Sequence, residues 1–419
     1  MKLNEKLRNL ITQIKSYYVN DQVRMFVLFI DDFFPSEKLF GLFGYPLLNQ
    51  RNDVAEQKVQ NRKRNFFGVS VIILMVITIL LAVNFVVIIL QRGNLLEAAE
   101  CCAFISSFIF NLLKALFLCY WKRDTIKKII DRLDQNFPHS SREQLKFGIH
   151  KYLRVLKNFF RICTANYVLV WFNYATLSLT TFCLRLFGFE SIKVILLLPT
   201  YTPLSLNHSW LYSIFFFTQD WTFLILVLIC AATDLVFCGL VCLTAMEFDV
   251  LAQKVSQLGS TDDENAENSL CKIIDGYNEL IDIANQLEEI FSPILLVNVF
   301  ASIILLCVCV FLMFTPLDIV LIVKFFSTIP ALVIQFFSIC YYGELLQTSS
   351  LRVADKAYNC NWYGQSLKFR KIILLTILRA QKPKVLTGWK FMDVGLPTFY
   401  WVLQTAQSYY SILSGLYKN

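Results

Sequence analysis

Apolar residues along the chain are gathered into seven runs, each about as long as a bilayer is thick. They lie near residues 66–90, 98–121, 162–187, 211–243, 291–314, 319–343 and 394–414. A helix needs about 20 residues to cross roughly 30 Å of hydrocarbon. The pattern therefore predicts an all-α membrane protein with seven transmembrane helices. The third and fourth runs exceed the required length, which predicts tilt or extension beyond the membrane.

Shorter stretches between these runs have an apolar face at helical spacing. Residues 126, 129, 130, 133 and 137 are apolar in one such stretch, and residues 272–291 repeat the pattern. A third segment, 367–378, is apolar on most faces but is too short and too basic at its ends to cross the membrane. Two interpretations remain open from the sequence: the helices lie flat on the inner leaflet, or they pack together below the membrane as an assembly domain.

The last run differs from the others because polar residues recur along it in steps of three and four. They are Gln404, Gln407, Ser408, Ser411 and Ser414. On a helix this spacing places them on nearly one face, and a polar face in lipid is costly unless it meets protein or water. The stripe either forms hydrogen bonds to neighbouring helices of the same chain or lines a water-filled space.

Lysine and arginine predict the orientation of the helices. They are concentrated in residues 1–65, 122–161 and 344–392, whereas the alternate segments contain only Arg92, Arg185, Lys193 and Lys418. Positive loops remain in the cytoplasm, so the N-terminus is predicted to be cytoplasmic and the C-terminus extracellular. The acidic loop 247–290 does not alter this, because acidic residues have little weight in the rule. Asn207 begins a glycosylation sequon, and its loop is extracellular in the same topology.

Composition excludes several classes of protein. The chain of 419 residues is 56% hydrophobic and 17% charged, which is outside the range of soluble domains. The cysteines have no zinc-like or disulfide-framework spacing, and His139, His150 and His208 are scattered. We therefore predict no enzymatic activity, no metal, no cofactor and no nucleic-acid partner.

Lys114, Asp234 and Lys324 fall inside predicted spans, where charge is costly and where such residues are candidates for a functional as well as a structural role. Lys114 is close to the basic cytoplasmic end of its span, so we expect its side chain to extend toward the headgroups. We expect Asp234 to cap or pair within the bundle. Lys324 is near the outer end of its span and is expected to reach the headgroups.

A series of short motifs identifies a resemblance. From the sixth run onward it comprises paired tyrosines with Gly343-Glu344, then Ala357-Tyr358, Trp362, the stretch 379–383 and the terminal stretch 405–413; upstream are "LFGLFGYP" and "LPTYTPLSLNHSWLYSIFFFTQ". In this order the motifs resemble the insect odorant receptor family over nearly the whole chain. The family's co-receptor has a greatly expanded second intracellular loop. That loop is short here, so the chain resembles a ligand-tuning subunit.

The resemblance implies a ligand-gated, non-selective cation channel in which four subunits, including the co-receptor, surround one pore in the plasma membrane of sensory neurons. It implies a cytoplasmic segment 1–65, six helices with the ligand pocket over 66–343 and their cytoplasmic loops 122–161 and 247–290, a cytoplasmic anchor region 344–392, and a pore-lining helix with a short tail over 393–419. Gln407 and Ser411 match the narrowest gate positions, and Gln404 and Ser408 share their face.

The resemblance also implies a ligand pocket in the outer half of the membrane, between the second, third, fourth and sixth spans. The candidates mapped onto this chain are Phe104, Ser107, Phe108, Trp171, Tyr174, Ser178, Tyr212, Phe216, Gln219, Phe325, Thr328 and Ile329. A pocket rich in aromatic rings favours small aromatic, heteroaromatic or sulfur-containing volatiles.

Three other functions remain as alternatives. A gustatory receptor channel has the same fold, although its terminal Thr-Tyr and Gln-Phe signature is absent here. A metabotropic seven-helix receptor would require the opposite topology. A secondary transporter would show inverted repeats, and none is visible in the sequence.

Overall fold

The computed structural model describes residues 54–91, 95–138, 140–187, 209–258, 266–314 and 319–418. Within them the chain forms ten α-helices and one short hairpin: α1 Val54–Gln91, α2 Leu95–Leu116, α3 Arg123–Asn136, α4 Ser141–Lys146, α5 Ile149–Leu186, α6 Ser209–Ser256, α7 Ala266–Phe314, α8 Ile319–Tyr358, α9 Leu367–Ala380, β1 Thr387–Gly388, β2 Met392–Asp393 and α10 Leu396–Lys418. A π-helical turn, Phe117–Trp121, follows α2. The predicted all-α class is confirmed.

Seven of these helices, α1, α2, α5, α6, α7, α8 and α10, coincide with the seven predicted spans. Four described stretches are long and apolar enough to cross a membrane by composition alone: Ile72–Gln91, Phe216–Ser256, Ala266–Val310 and Phe325–Tyr358. A shorter apolar stretch, Phe104–Leu116, lies in α2. The last helix is not among them, and its polar stripe lowers its mean hydropathy.

Several helices continue beyond the apolar runs of the sequence. The amphipathic stretch 272–291 is not a separate helix but the first half of α7, which continues through Pro293. Helix α6 extends to Ser256, and α8 extends to Tyr358. A change from apolar to polar residues marks where a helix leaves hydrocarbon, whereas a helix ends only where its hydrogen bonding stops.

Helix α6 is the centre of the bundle. Its residues 231–242 are buried without interruption, which matches a sequence that is apolar on every face apart from Thr233 and Asp234. Helices α1, α2, α5, α7 and α8 all contact it, and α8 runs along much of its length. The side chains of α6 therefore face several helices at once.

Helix α3 packs against protein along its apolar face. Ile126, Ile129, Ile130 and Leu133 are buried. On its polar side, Arg132 forms ion pairs with Glu279 at 3.3 Å and Asp282 at 2.8 Å, both on α7; the hydrogen bond to Asp282 raises the pKa of Arg132. For α3, the structure therefore favours packing against neighbouring helices over lying alone on a leaflet.

A tight junction joins α8 to the start of α10. A Cβ atom at Gly343 would overlap the carbonyl oxygen of Val394, so only glycine permits this approach. The adjacent Glu344 accepts a hydrogen bond from the Leu396 backbone N–H at 3.3 Å. A carboxylate at a helix N-terminus also stabilises the helix dipole. The Gly-Glu motif therefore positions the last helix.

Candidate ligand cavity and polar helix face

A cavity of about 120 Å³ lies between α2, α5, α6, α7 and α8. Five aromatic rings line it: Phe104, Tyr167, Tyr174, Phe223 and Phe325. Most of the remaining wall is aliphatic. A dry cavity of about 150 Å³ in another protein accepts benzene, so this cavity has the size and character for one small apolar molecule.

The structure places five of the predicted pocket residues on the wall of this cavity: Phe104, Ser107, Tyr174, Phe325 and Thr328. Phe108 lines a second, smaller cavity of about 10 Å³ with Phe104. Trp171, Ser178, Phe216, Gln219 and Ile329 lie on neither wall. The Tyr212 side chain and Asn207 lie outside the described residues.

Several wall residues were missed from the sequence. Helix α7 contributes Leu305, Val308 and Cys309, although the expected pocket did not include the fifth span. The most informative omission is Asn111, which follows Ser107 by four residues and therefore shares its helical face. That spacing was a usable signal. The aliphatic residues of α7 gave no such signal in the sequence, because any buried helix has similar aliphatic residues.

Four polar side chains contact Asp234, beside the cavity wall. This buried carboxylate on α6 forms an ion pair with Lys114 of α2. It also accepts hydrogen bonds from the Tyr167 hydroxyl and the Gln335 amide, each at 2.7 Å, and from the Cys230 thiol at 3.7 Å. Tyr167, Cys230 and Gln335 are themselves on the cavity wall.

This cluster resolves the two expectations for charged residues in the spans. Asp234 pairs within the bundle, as expected. The expectation for Lys114 was wrong: its side chain is 3% exposed and points to Asp234 rather than to the headgroups. A buried carboxylate across the helix interface attracts the ammonium group more strongly than a partly hydrated surface does. The Lys324 side chain lies outside the described residues.

Another polar contact on the wall joins α5 to α8. The Tyr174 hydroxyl and Thr328 Oγ1 are 2.9 Å apart, and the Phe104 ring meets the Tyr174 ring edge-on with centroids 6.0 Å apart. Helix α8 contains Pro330 between Thr328 and Ala331, both on the wall. The missing N–H of Pro330 removes one helical hydrogen bond at this level.

The polar stripe of α10 faces away from its own chain. Val402 and Ala406 are buried against the bundle, whereas Gln404, Gln407, Ser408 and Ser411 are exposed on the opposite face. Ser408 and Ser411 donate to the backbone carbonyls of Gln404 and Gln407, at 2.9 and 3.1 Å. Within the described part of the chain, the stripe forms no hydrogen bond to another helix. The Ser414 side chain lies outside that part.

Comparison with protein families gives one match that spans most of the chain. The sequence profile described as "7tm Odorant receptor" matches residues 94–407. Among curated proteins of Drosophila melanogaster, Odorant receptor 85c is 24% identical over 329 residues, which is 78% of this chain and 84% of that protein. Odorant receptor 85b is 23% identical over 336 residues, with the same coverage.

Comparison of folds gives a similar result. The insect olfactory receptor OR5 from Machilis hrabei, in complex with eugenol, superposes with a TM-score of 0.79 at 14% identity, over 94% of this chain and 100% of that one. A second structure of the same receptor gives a TM-score of 0.78 at 15% identity. At such low identity these matches show that the seven-helix fold is shared.

Proposed function

Because this chain belongs to the 7tm odorant receptor family, we propose that it binds a small volatile ligand and opens a non-selective cation channel together with a co-receptor. The protein is a multi-pass membrane protein of the insect odorant receptor type. The family assignment favours the odorant receptor over the gustatory and metabotropic alternatives.

The observation that carries the channel proposal is the direction of the polar face on α10. Gln404, Gln407, Ser408 and Ser411 are exposed opposite the face that packs on the bundle. If this face met lipid, its amide groups would have no hydrogen-bond partners. An unpaired polar group in hydrocarbon costs on the order of several kcal/mol. Four chains arranged around an axis would place the same face in water.

In this proposal Gln407 and Ser411 form this subunit's part of the narrowest constriction. Amide and hydroxyl groups there wet more easily than apolar side chains. The stripe carries no acidic residue, so the proposed pore discriminates weakly among cations.

The cavity between α2, α5, α6, α7 and α8 is the proposed ligand site. Its size and aromatic lining suit a small volatile molecule. A structural neighbour in complex with eugenol supports a small-molecule ligand for this chain too. Its proposed contacts are the five predicted residues on the wall, Phe104, Ser107, Tyr174, Phe325 and Thr328.

The topology and domains remain part of the proposal. The positive segments 122–161 and 344–392 support a cytoplasmic N-terminus, an extracellular C-terminus and a cytoplasmic anchor region for assembly. Helix α9 in that region exposes Leu374, Leu375 and Leu378, and a contiguous apolar surface of this kind suits contact with another subunit. The proposed location is the plasma membrane of sensory neurons.

The test is whole-cell current recording from cells that express this chain with the co-receptor, the co-receptor alone, or this chain alone. A panel of small volatiles is applied to each. The proposal expects cation current that differs in ligand preference from the co-receptor alone and persists when G-protein signalling is inhibited. Responses identical to those of the co-receptor alone at equal surface expression, or responses abolished by G-protein inhibitors, would overturn it.

A further inference from the structure

Asn111, on the cavity wall, carries a buried hydrogen-bond acceptor that has no partner in the described part of the chain. Asn111 is 6% exposed, and its Nδ2 donates to the Ser107 backbone carbonyl at 2.9 Å. A carbonyl oxygen can only accept, so the amide nitrogen must face it and the amide orientation is fixed. The other end of the amide, Oδ1, is buried without a hydrogen-bond partner among the described residues.

Two further wall residues have committed their donors and kept acceptor capacity. Tyr167 uses its single hydroxyl hydrogen for Asp234, which leaves lone pairs on its oxygen. Gln335 directs Nε2 toward Asp234 at 2.7 Å and toward Cys230 Sγ at 3.4 Å, so its remaining polar group is the carbonyl oxygen. The carboxylate of Asp234 fixes both orientations.

The Lys114–Asp234 ion pair also limits which kind of hydrogen-bond donor a ligand of this cavity can have. Asp234 is already bound to Lys114, so an ammonium ligand would be buried without a free carboxylate to balance its charge. An ether or ketone could accept a hydrogen bond from a wall hydroxyl such as that of Ser107, but, like a hydrocarbon, it would leave the Asn111 oxygen unpaired. A neutral hydroxyl group satisfies it.

We infer that the cavity selects a small neutral alcohol or phenol, whose O–H donates to Asn111 Oδ1 while its carbon skeleton packs among the aromatic rings. This inference rests on the proposed function, because it takes the cavity to be the ligand site. At about 120 Å³, close to the size that accepts benzene, the cavity suits about six non-hydrogen atoms.

A pair of isomers tests the inference without altering the protein. The ligands n-pentanol and butyl methyl ether have the same atoms, but only the alcohol has a donor. Binding is measured on the purified full-length chain in detergent, by ligand-dependent shifts of its thermal unfolding midpoint over a concentration series. One hydrogen bond gained, and one buried acceptor no longer left unpaired, predicts about tenfold tighter binding of the alcohol.

A matched pair of variants locates the preference. Asn111→Leu keeps the approximate shape and removes the acceptor, so the preference for the alcohol should fall to less than about twofold. Asn84→Leu is the control, because Asn84 makes the same type of bond to a backbone carbonyl four residues earlier, at 3.0 Å, but is exposed on α1. The Asn84→Leu variant should still bind the alcohol about tenfold more tightly than the ether.

Equal affinity for the two isomers, binding of neither, or an undiminished preference in folded Asn111→Leu would each overturn the inference. The isomer comparison on the unaltered chain decides the matter even where a variant does not fold. Because binding is measured without the co-receptor, an alcohol preference with no volatile-evoked current would contradict the proposed function alone. Volatile-evoked current with equal isomer affinities would contradict the inference alone.

Discussion

Asp234 gathers donors from three other helices: Lys114 on α2, Tyr167 on α5 and Gln335 on α8. Such a pair contributes little when compared with well-packed apolar residues, but the loss of one partner leaves a buried charge. Lys114→Met should therefore destabilise the bundle by about 3–5 kcal/mol. The measurement is the thermal unfolding midpoint of the detergent-solubilised chain.

The control for this prediction is the double variant Lys114→Met with Asp234→Asn. It removes both charges and keeps an acceptor for Tyr167, so most of the lost stability should return. If the double variant is as unstable as the single one, the ion pair is not the source of the effect.

The residues of the candidate site were only partly predictable. Ser107 and Tyr174 could be assigned to the cavity by resemblance and by their position in the spans. Asn111 was missed although its spacing from Ser107 placed both on one helical face, and the sequence could not show that its carbonyl oxygen lacks a partner among the described residues. The partnership of Lys114 with Asp234, 120 residues later, depends on how the helices pack, which local periodicity does not specify.

At the scale of elements, the junction between α8 and α10 offers a steric test. In Gly343→Ala the added methyl group overlaps the Val394 carbonyl, and backbone on both sides cannot move independently. We expect a large loss of folded protein, measured by size-exclusion chromatography of the tagged chain. Gly364→Ala is the control, since a Cβ there meets nothing within 4 Å, and its yield should be unchanged.

Helix α3 separates the effects of packing and charge. Ile129 is fully buried, whereas Arg132 forms partly exposed ion pairs. Ile129→Ala should cost about 2–5 kcal/mol of unfolding free energy, and Arg132→Ala less than about 1 kcal/mol. Thermal unfolding of the two variants under the same detergent conditions compares them. An equal or larger loss in Arg132→Ala would contradict this ranking.

The positions of the helices were more predictable than the residues of the candidate site, but the ends of the helices were not. The positions of α2 and α10 followed from apolar length and from the polar stripe. The continuity of α7 through Pro293 could not be inferred, because the drop in hydropathy before it suggested a separate helix. Residues 272–291 pack against neighbouring helices, and this packing stabilises the helix on both sides of the change in hydropathy. The pattern of a single sequence does not contain those contacts.

At the scale of the whole molecule, the polar face of α10 should control conduction. Gln407→Leu makes the proposed constriction apolar and harder to wet, so volatile-evoked current with the co-receptor should fall several-fold. Ser411→Leu should act in the same direction. Tyr409→Leu is the control, because Tyr409 is exposed on a different side of α10. Whole-cell current is compared at equal surface expression, and a fall confined to Tyr409→Leu would reverse the assignment of the face.

The proline in α8 has a mechanical consequence. Pro330 lies at the level of the cavity, and the helix beyond it continues to Tyr358, so this half of α8 is a lever arm whose pivot is beside the proposed ligand site. Gly343, against which α10 begins, is about 20 Å along that arm at 1.5 Å per residue. A bend of about 5° at the pivot would shift Gly343 by about 2 Å. A proposed ligand of about six non-hydrogen atoms would thus move a helix that it does not contact.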